Sequence, residues 1–126
     1  MILVIDDVKE FTFPPGSEVV YARTLSEGLR QLNRIFELPR IKSPAKVELW
    51  LDHDLGGDDT IRPICLLLAE MAYYDTTYPF SLIVICSLNP VGIEWMRSTL
   101  SDYPVMVCDT PQRLELLTGN KLAKWQ

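Results

Sequence analysis

Five short apolar runs, each ending in a polar or charged residue, constrain this chain more than any other feature. They are Met1 to Ile5, Glu18 to Ala22, Lys46 to Leu51, Phe80 to Cys86 and Tyr103 to Cys108. Ile, Val and Leu dominate them, the composition of strands covered on both faces. Between the runs lie segments with apolar residues at helical spacing. Strands of this kind alternating with amphipathic helices build an α/β unit around a parallel sheet.

The helical segments carry their own punctuation. Thr24 precedes a stripe of Leu25, Leu29, Leu32, Ile35 and Phe36, and Glu27 stands at capping-box distance from it. Pro39 is expected to end that helix. A second helix is expected over about 60–74, with Pro63 in its first turn and Asp58 or Asp59 as its cap. A third spans about 91–101. A last one begins after Asp109-Thr110-Pro111 and stops near Gly119. Residues 8–17 hold Pro14, Pro15 and Gly16 and read as loop, so a helix between the first two strands is missing or very short. The economical fold is a three-layer, flavodoxin-like arrangement with a five-stranded parallel sheet in the order 2-1-3-4-5. With 126 residues it forms a single domain over 1–126.

Several function classes are excluded at this point. The longest uninterrupted apolar runs, Ile64 to Ala69 and Leu82 to Cys86, fall far short of the ~20 residues of a membrane span. The opening residues lack the basic start and long apolar stretch of a secretory signal, so a cytoplasmic protein is expected. Cys65, Cys86 and Cys108 are odd in number, lack CxxC spacing and sit in apolar runs, which fits buried thiols rather than disulfides or zinc. A net charge of −5 argues against binding a nucleic acid duplex. That charge is concentrated. Of seventeen acids, seven (Asp6, Asp7, Asp52, Asp54, Asp58, Asp59 and Asp109) lie at or just after predicted strand ends; the remaining ten are outnumbered by twelve Lys and Arg.

In a doubly wound sheet the ligand site lies beyond the carboxyl ends of the strands. Those ends carry Asp6-Asp7, Arg23, Asp52-His53-Asp54, Ser87-Leu88-Asn89 and Asp109. Bare carboxylates brought together by adjacent strands repel one another unless a cation joins them or one is protonated. Oxygen-only ligands at Asp6, Asp7 and Asp52 suit Mg²⁺ or Mn²⁺; loop capping is the competing role. Asp54 would share a face with Asp52 if the strand continues. His53, the single histidine, is either structural or a group that orients a carboxylate or acts as general acid. Ser87 and Asn89 offer uncharged hydrogen-bond partners for a phosphate, or form an ordinary turn before Pro90. Arg23 serves as a bidentate phosphate clamp or as half of a surface ion pair.

Paired acids after the first strand, Asp52 after the third and Ser87 after the fourth resemble the response-regulator receiver domain, in which the third-strand Asp accepts a phosphoryl group beside Mg²⁺. Receivers also carry a Lys before a Pro at the end of strand five, where this chain has Asp109-Thr110-Pro111. A fuller likeness is to the receiver-like family named for cyclic-phosphate processing. It rests on Ile5-Asp6-Asp7, Pro14-Pro15-Gly16, Tyr21-Ala22-Arg23-Thr24, Leu51-Asp52-His53-Asp54-Leu55-Gly56 and Cys86-Ser87-Leu88-Asn89-Pro90-Val91-Gly92, with Cys86 where that family has His. The resemblance implies a receiver-like fold. It also implies a Mg²⁺- or Mn²⁺-dependent site for a small phosphorylated ligand such as a cyclic nucleotide or cyclic phosphate. Asp6, Asp7 and Asp52 would then hold the metal, Arg23, Ser87 and Asn89 the phosphate, and Asp52, His53 and Asp54 the chemistry. A non-enzymatic signalling module, or a fold that has kept its shape without the chemistry, is the alternative.

Overall fold

A computed structural model describes residues 1–37, 46–119 and 121–124, with 117, 118 and 121–124 given as backbone. In chain order the elements are β1 (Ile2–Ile5), β2 (Glu10–Thr12), β3 (Val19–Ala22), α1 (Leu25–Phe36), β4 (Glu48–Leu51), α2 (Arg62–Tyr73), β5 (Leu82–Cys86), α3 (Pro90–Thr99), β6 (Val105–Cys108), α4 (Pro111–Thr118) and β7 (Lys121–Lys124). The main sheet is parallel with the order β3-β1-β4-β5-β6, the arrangement expected for five strands wound 2-1-3-4-5.

The apolar runs are continuous because both faces of the sheet are covered. Leu3, Ile5, Leu49, Leu51, Ile83 and Ile85 pack with the buried stripes of α1, α2 and α3. Their neighbours Ile2, Val4, Trp50, Val84, Cys86 and Cys108 face the other way and meet Phe11 from β2 and Leu114 from α4. The segment between β1 and β3 holds no helix; it contributes β2, which pairs antiparallel with β7. These two strands escape the sequence reading because each is short and finds its partner more than a hundred residues away. Cys65, Cys86 and Cys108 are free and buried. No helix among the described residues is long and apolar enough to cross a membrane.

Thr24 caps α1, its hydroxyl accepting from Glu27 N at 3.2 Å, but the Glu27 carboxylate accepts from Arg23 N rather than from Thr24 N. The cap expected of Asp58 or Asp59 is not used. Ile61 occupies the N-cap of α2, and the Thr60 hydroxyl accepts from Arg62 N at 3.3 Å. The expected stop at Pro39 lies outside the described residues. Gly119 closes α4 in the left-handed conformation, φ 73°.

Candidate functional site

Register builds the site. Ile5 pairs with Ala22 on one side and Leu51 on the other, and Leu51 pairs with Ile85. The residues that follow, Arg23, Asp6, Asp52 and Cys86, therefore form the next row across the sheet. Asp6 and Asp52 continue the Val4 and Trp50 side by the two-residue alternation of strands. Each is almost completely buried.

Lys9 stands between them. Its ammonium lies 3.2 Å from Asp6 Oδ2 and 2.9 Å from Asp52 Oδ2, and donates to the Cys86 carbonyl at 3.3 Å. The other oxygen of Asp6 is occupied by the loop itself, accepting from Val8 N at 3.0 Å and Lys9 N at 2.8 Å. One carboxylate oxygen from each of Asp6, Asp7 and Asp52 falls within 4.8 Å of the others. Burial pushes the Asp52 carboxyl up to about 6; the Lys9 ammonium opposes that rise, and the Asp6 and Asp7 charges add to it. Burial also acts to lower the Lys9 ammonium, but Asp52 and Asp6 outweigh it and hold Lys9 above the usual lysine value.

Lys9 is the site residue that sequence reasoning missed. It is the sole basic residue before Arg23, three positions beyond the first aspartate, but it lies in a segment read as loop. Only the turn closed by Asp6 Oδ1 brings it back over the strand ends.

An open cleft of about 550 Å³ lies above this floor, lined by Asp7, Val8, Lys9, Asp52, Asp54, Ser87, Leu88 and Asn89. Five of the expected residues thus meet around it, with Asp6 beneath. Ser87 is buried and its hydroxyl accepts from Asn89 N at 3.1 Å. Asn89 caps α3, its Oδ1 accepting from Gly92 N at 3.0 Å, while its Nδ2 donates to Asp54 Oδ2 at 3.3 Å. Asp54 is largely exposed at the cleft mouth.

Two expected residues are placed elsewhere. Arg23 points at the loop backbone, its Nη1 donating to Lys9 O at 2.6 Å and Asp6 O at 3.3 Å. The guanidinium sits over the Tyr21 ring, and Nη2 faces Glu10 Oε1 at 3.6 Å. It tethers the Lys9 loop and does not line the cleft. His53 follows Asp52 by one residue and so faces the opposite side, toward α2 and α3. There its Nε2 accepts from Arg62 Nε at 3.0 Å, and its Nδ1 lies 3.0 Å from Asp54 Oδ1. Asp109 pairs with Arg113 at 3.1 Å, away from the cleft.

Gly92 explains why the two motif segments belong together. A Cβ there would stand 2.5 Å from His53 Cγ, so only glycine lets α3 lie on the imidazole. Gly56, at φ 92°, turns the chain after Asp54 in a conformation that side chains disfavour.

Residues 1–102 match the sequence profile of the family described as Cyclic-phosphate processing Receiver domain. Comparison with curated proteins and with solved structures gives no match.

Proposed function

The chain belongs to the family of cyclic-phosphate processing receiver domains, and from that premise we propose that its cleft binds a small phosphorylated molecule, of the cyclic-phosphate or cyclic-nucleotide class, and hydrolyses a phosphate ester there with Mg²⁺ or Mn²⁺. The observation that carries this reading is the cleft floor, where Asp6, Asp7 and Asp52 gather around the Lys9 ammonium. Three carboxylates form an all-oxygen donor set that suits a hard divalent cation. Asp6 Oδ2, Asp7 and Asp52 would hold the ion. When bound, such an ion polarises a phosphoryl oxygen and lowers the pKa of a water beside it.

The chain's own residues supply the rest. Lys9 offers positive charge to a phosphoryl oxygen from the floor, and the Ser87 hydroxyl adds a neutral donor. Asp54, whose carboxylate opens onto the cleft, takes the proton from attacking water and returns one to the leaving oxygen. Arg23 acts through the loop that carries Lys9. The test is a panel of cyclic and linear nucleotides with Mg²⁺ and Mn²⁺, read by melting temperature and by product formation. Ligand-dependent stabilisation with product supports the reading, whereas a panel that neither stabilises nor reacts removes it.

A second reading makes Asp52 a phosphoacceptor, and Lys9 favours it: an ammonium 2.9 Å from Asp52 Oδ2 fills the role expected of the strand-five lysine that the sequence lacks. Incubation with a small acyl phosphate decides between the two. A stable phosphoryl group on Asp52 supports the switch, and turnover of a cyclic phosphate supports the enzyme.

A further inference from the structure

Arg62 stands outside the cleft, yet its guanidinium reaches the one histidine of the chain. A guanidinium has donors and no acceptor. Its Nε–H, 3.0 Å from His53 Nε2, therefore meets a lone pair, which puts the ring proton on Nδ1; the Asn89 amide nitrogen stands farther from Nδ1, at 3.5 Å, than the Asp54 oxygen does. Nδ1 is 3.0 Å from Asp54 Oδ1, so this proton is donated to the carboxylate at the cleft mouth. The second Asp54 oxygen is held by Asn89 Nδ2 at 3.3 Å. The ring has no room to turn: His53 is buried, and the Gly92 backbone lies against its face. Arg62 in turn rests over the Trp95 ring, 4.5 Å from its centroid.

An exposed aspartate ordinarily samples several rotamers. Asp54 has about 62% of its side chain exposed and still has a donor on each oxygen. We infer that Arg62 is a positioning residue: by accepting no proton it locks His53 in the tautomer that donates Nδ1–H to Asp54, and so fixes the carboxylate that faces the cleft. His53 is then a positioning residue as well, a link between α2 and the cleft mouth. The importance of Asp54 rests on the hydrolytic reading above, but the tautomer does not.

The single histidine makes the test unambiguous. In the full-length protein labelled with ¹⁵N, long-range ¹H–¹⁵N spectra at about pH 8, above the ordinary histidine range, separate protonated from bare ring nitrogens. The expected wild-type spectrum is one tautomer with the proton on Nδ1. Arg62→Met places a methyl where Nε stood and removes the donor; a mixture of tautomers is expected. Arg62→Lys restores a cationic donor that has no acceptor, one bond farther from Cα, and recovery of the Nδ1–H form is expected. A wild-type ring protonated on Nε2 overturns the inference, and so does an Arg62→Met spectrum identical to wild type. Should Arg62→Met fail to fold, the wild-type and Arg62→Lys spectra still decide. If the protein turns over a cyclic phosphate, Arg62→Met should lower kcat while its Mg²⁺-induced melting shift stays at the wild-type value. Absence of turnover in wild type removes the hydrolytic reading and leaves the tautomer result standing.

Discussion

Lys9 makes the acid cluster tolerable without a metal. Removing one partner of a buried ion pair leaves uncompensated charge and costs about 3–5 kcal/mol. Lys9→Met should therefore melt well below wild type in chelator, while its melting shift with millimolar Mg²⁺ should exceed the wild-type shift, because the ion becomes the only cation among three carboxylates. Equal melting in chelator would remove Lys9 from this role. Asp52 gives a prediction of opposite sign. Its folded value, about 6, is above the ordinary aspartate value of 3.8. The folded state therefore holds the proton more tightly than the unfolded chain. The stability this contributes is fully present below about pH 4 and is lost as pH rises through about 6. Metal-free protein should lose on the order of 3 kcal/mol from this group across that window. Asp52→Asn should flatten that slope in chemical denaturation, keep or raise the melting temperature in chelator near pH 7, and abolish the response to Mg²⁺. A variant that melts far lower and retains its full Mg²⁺ shift would assign Asp52 to structure alone.

The packing of α3 onto His53 depends on a missing side chain. Gly92→Ala would set a methyl 2.5–2.9 Å from three ring atoms of His53, and overpacking of this kind costs about 1–3 kcal/mol. A melting temperature several degrees lower is expected, with a smaller loss when His53→Ala is made in the same chain. Strictly additive losses in that double-mutant cycle would contradict the contact. What could be read from the sequence at this scale follows from locality. The five parallel strands, the Thr24 cap and the Gly119 stop are written in residues close together in the chain. So are Asp6, Asp52, Ser87 and Asn89, because strand ends and helix starts place them. Lys9 and Arg62 are not readable this way: each reaches the site through a turn or a neighbouring helix. The outward turn of His53 follows from the alternation that placed Asp52, but it settles nothing until α2 and α3 are known to cover that side.

Across the molecule, the two faces of the sheet are covered in unequal fashion. Three helices pack on one side, whereas Phe11, Trp50, Cys108 and Leu114 fill the other beneath β2 and α4. The family match ends at residue 102, before β6, α4 and β7 begin. Leu114 is fully buried, so Leu114→Ala should cost about 2–5 kcal/mol in denaturant unfolding while leaving the Mg²⁺ response intact, since the carboxylates lie on other elements. A Mg²⁺ response that disappeared with this change would mean that the second face is coupled to the cleft.

A structural route for that coupling is the pairing of β2 with β7. Phe11 sits opposite Leu122, and Thr12 opposite Lys121, immediately after the turn that presents Lys9. The far end of the chain thus clasps the segment that returns the ammonium to the strand ends. In hydrogen-exchange terms, the amides of Val8 and Lys9, bound to Asp6 Oδ1, are expected to open together with β2 and β7 rather than with the central strands. Removing residues 121–126 should speed exchange at Val8, Lys9 and Phe11 and leave β4 and β5 as slow as before. A charge at the heart of the site would then be held on a latch fastened at the opposite end of the polypeptide.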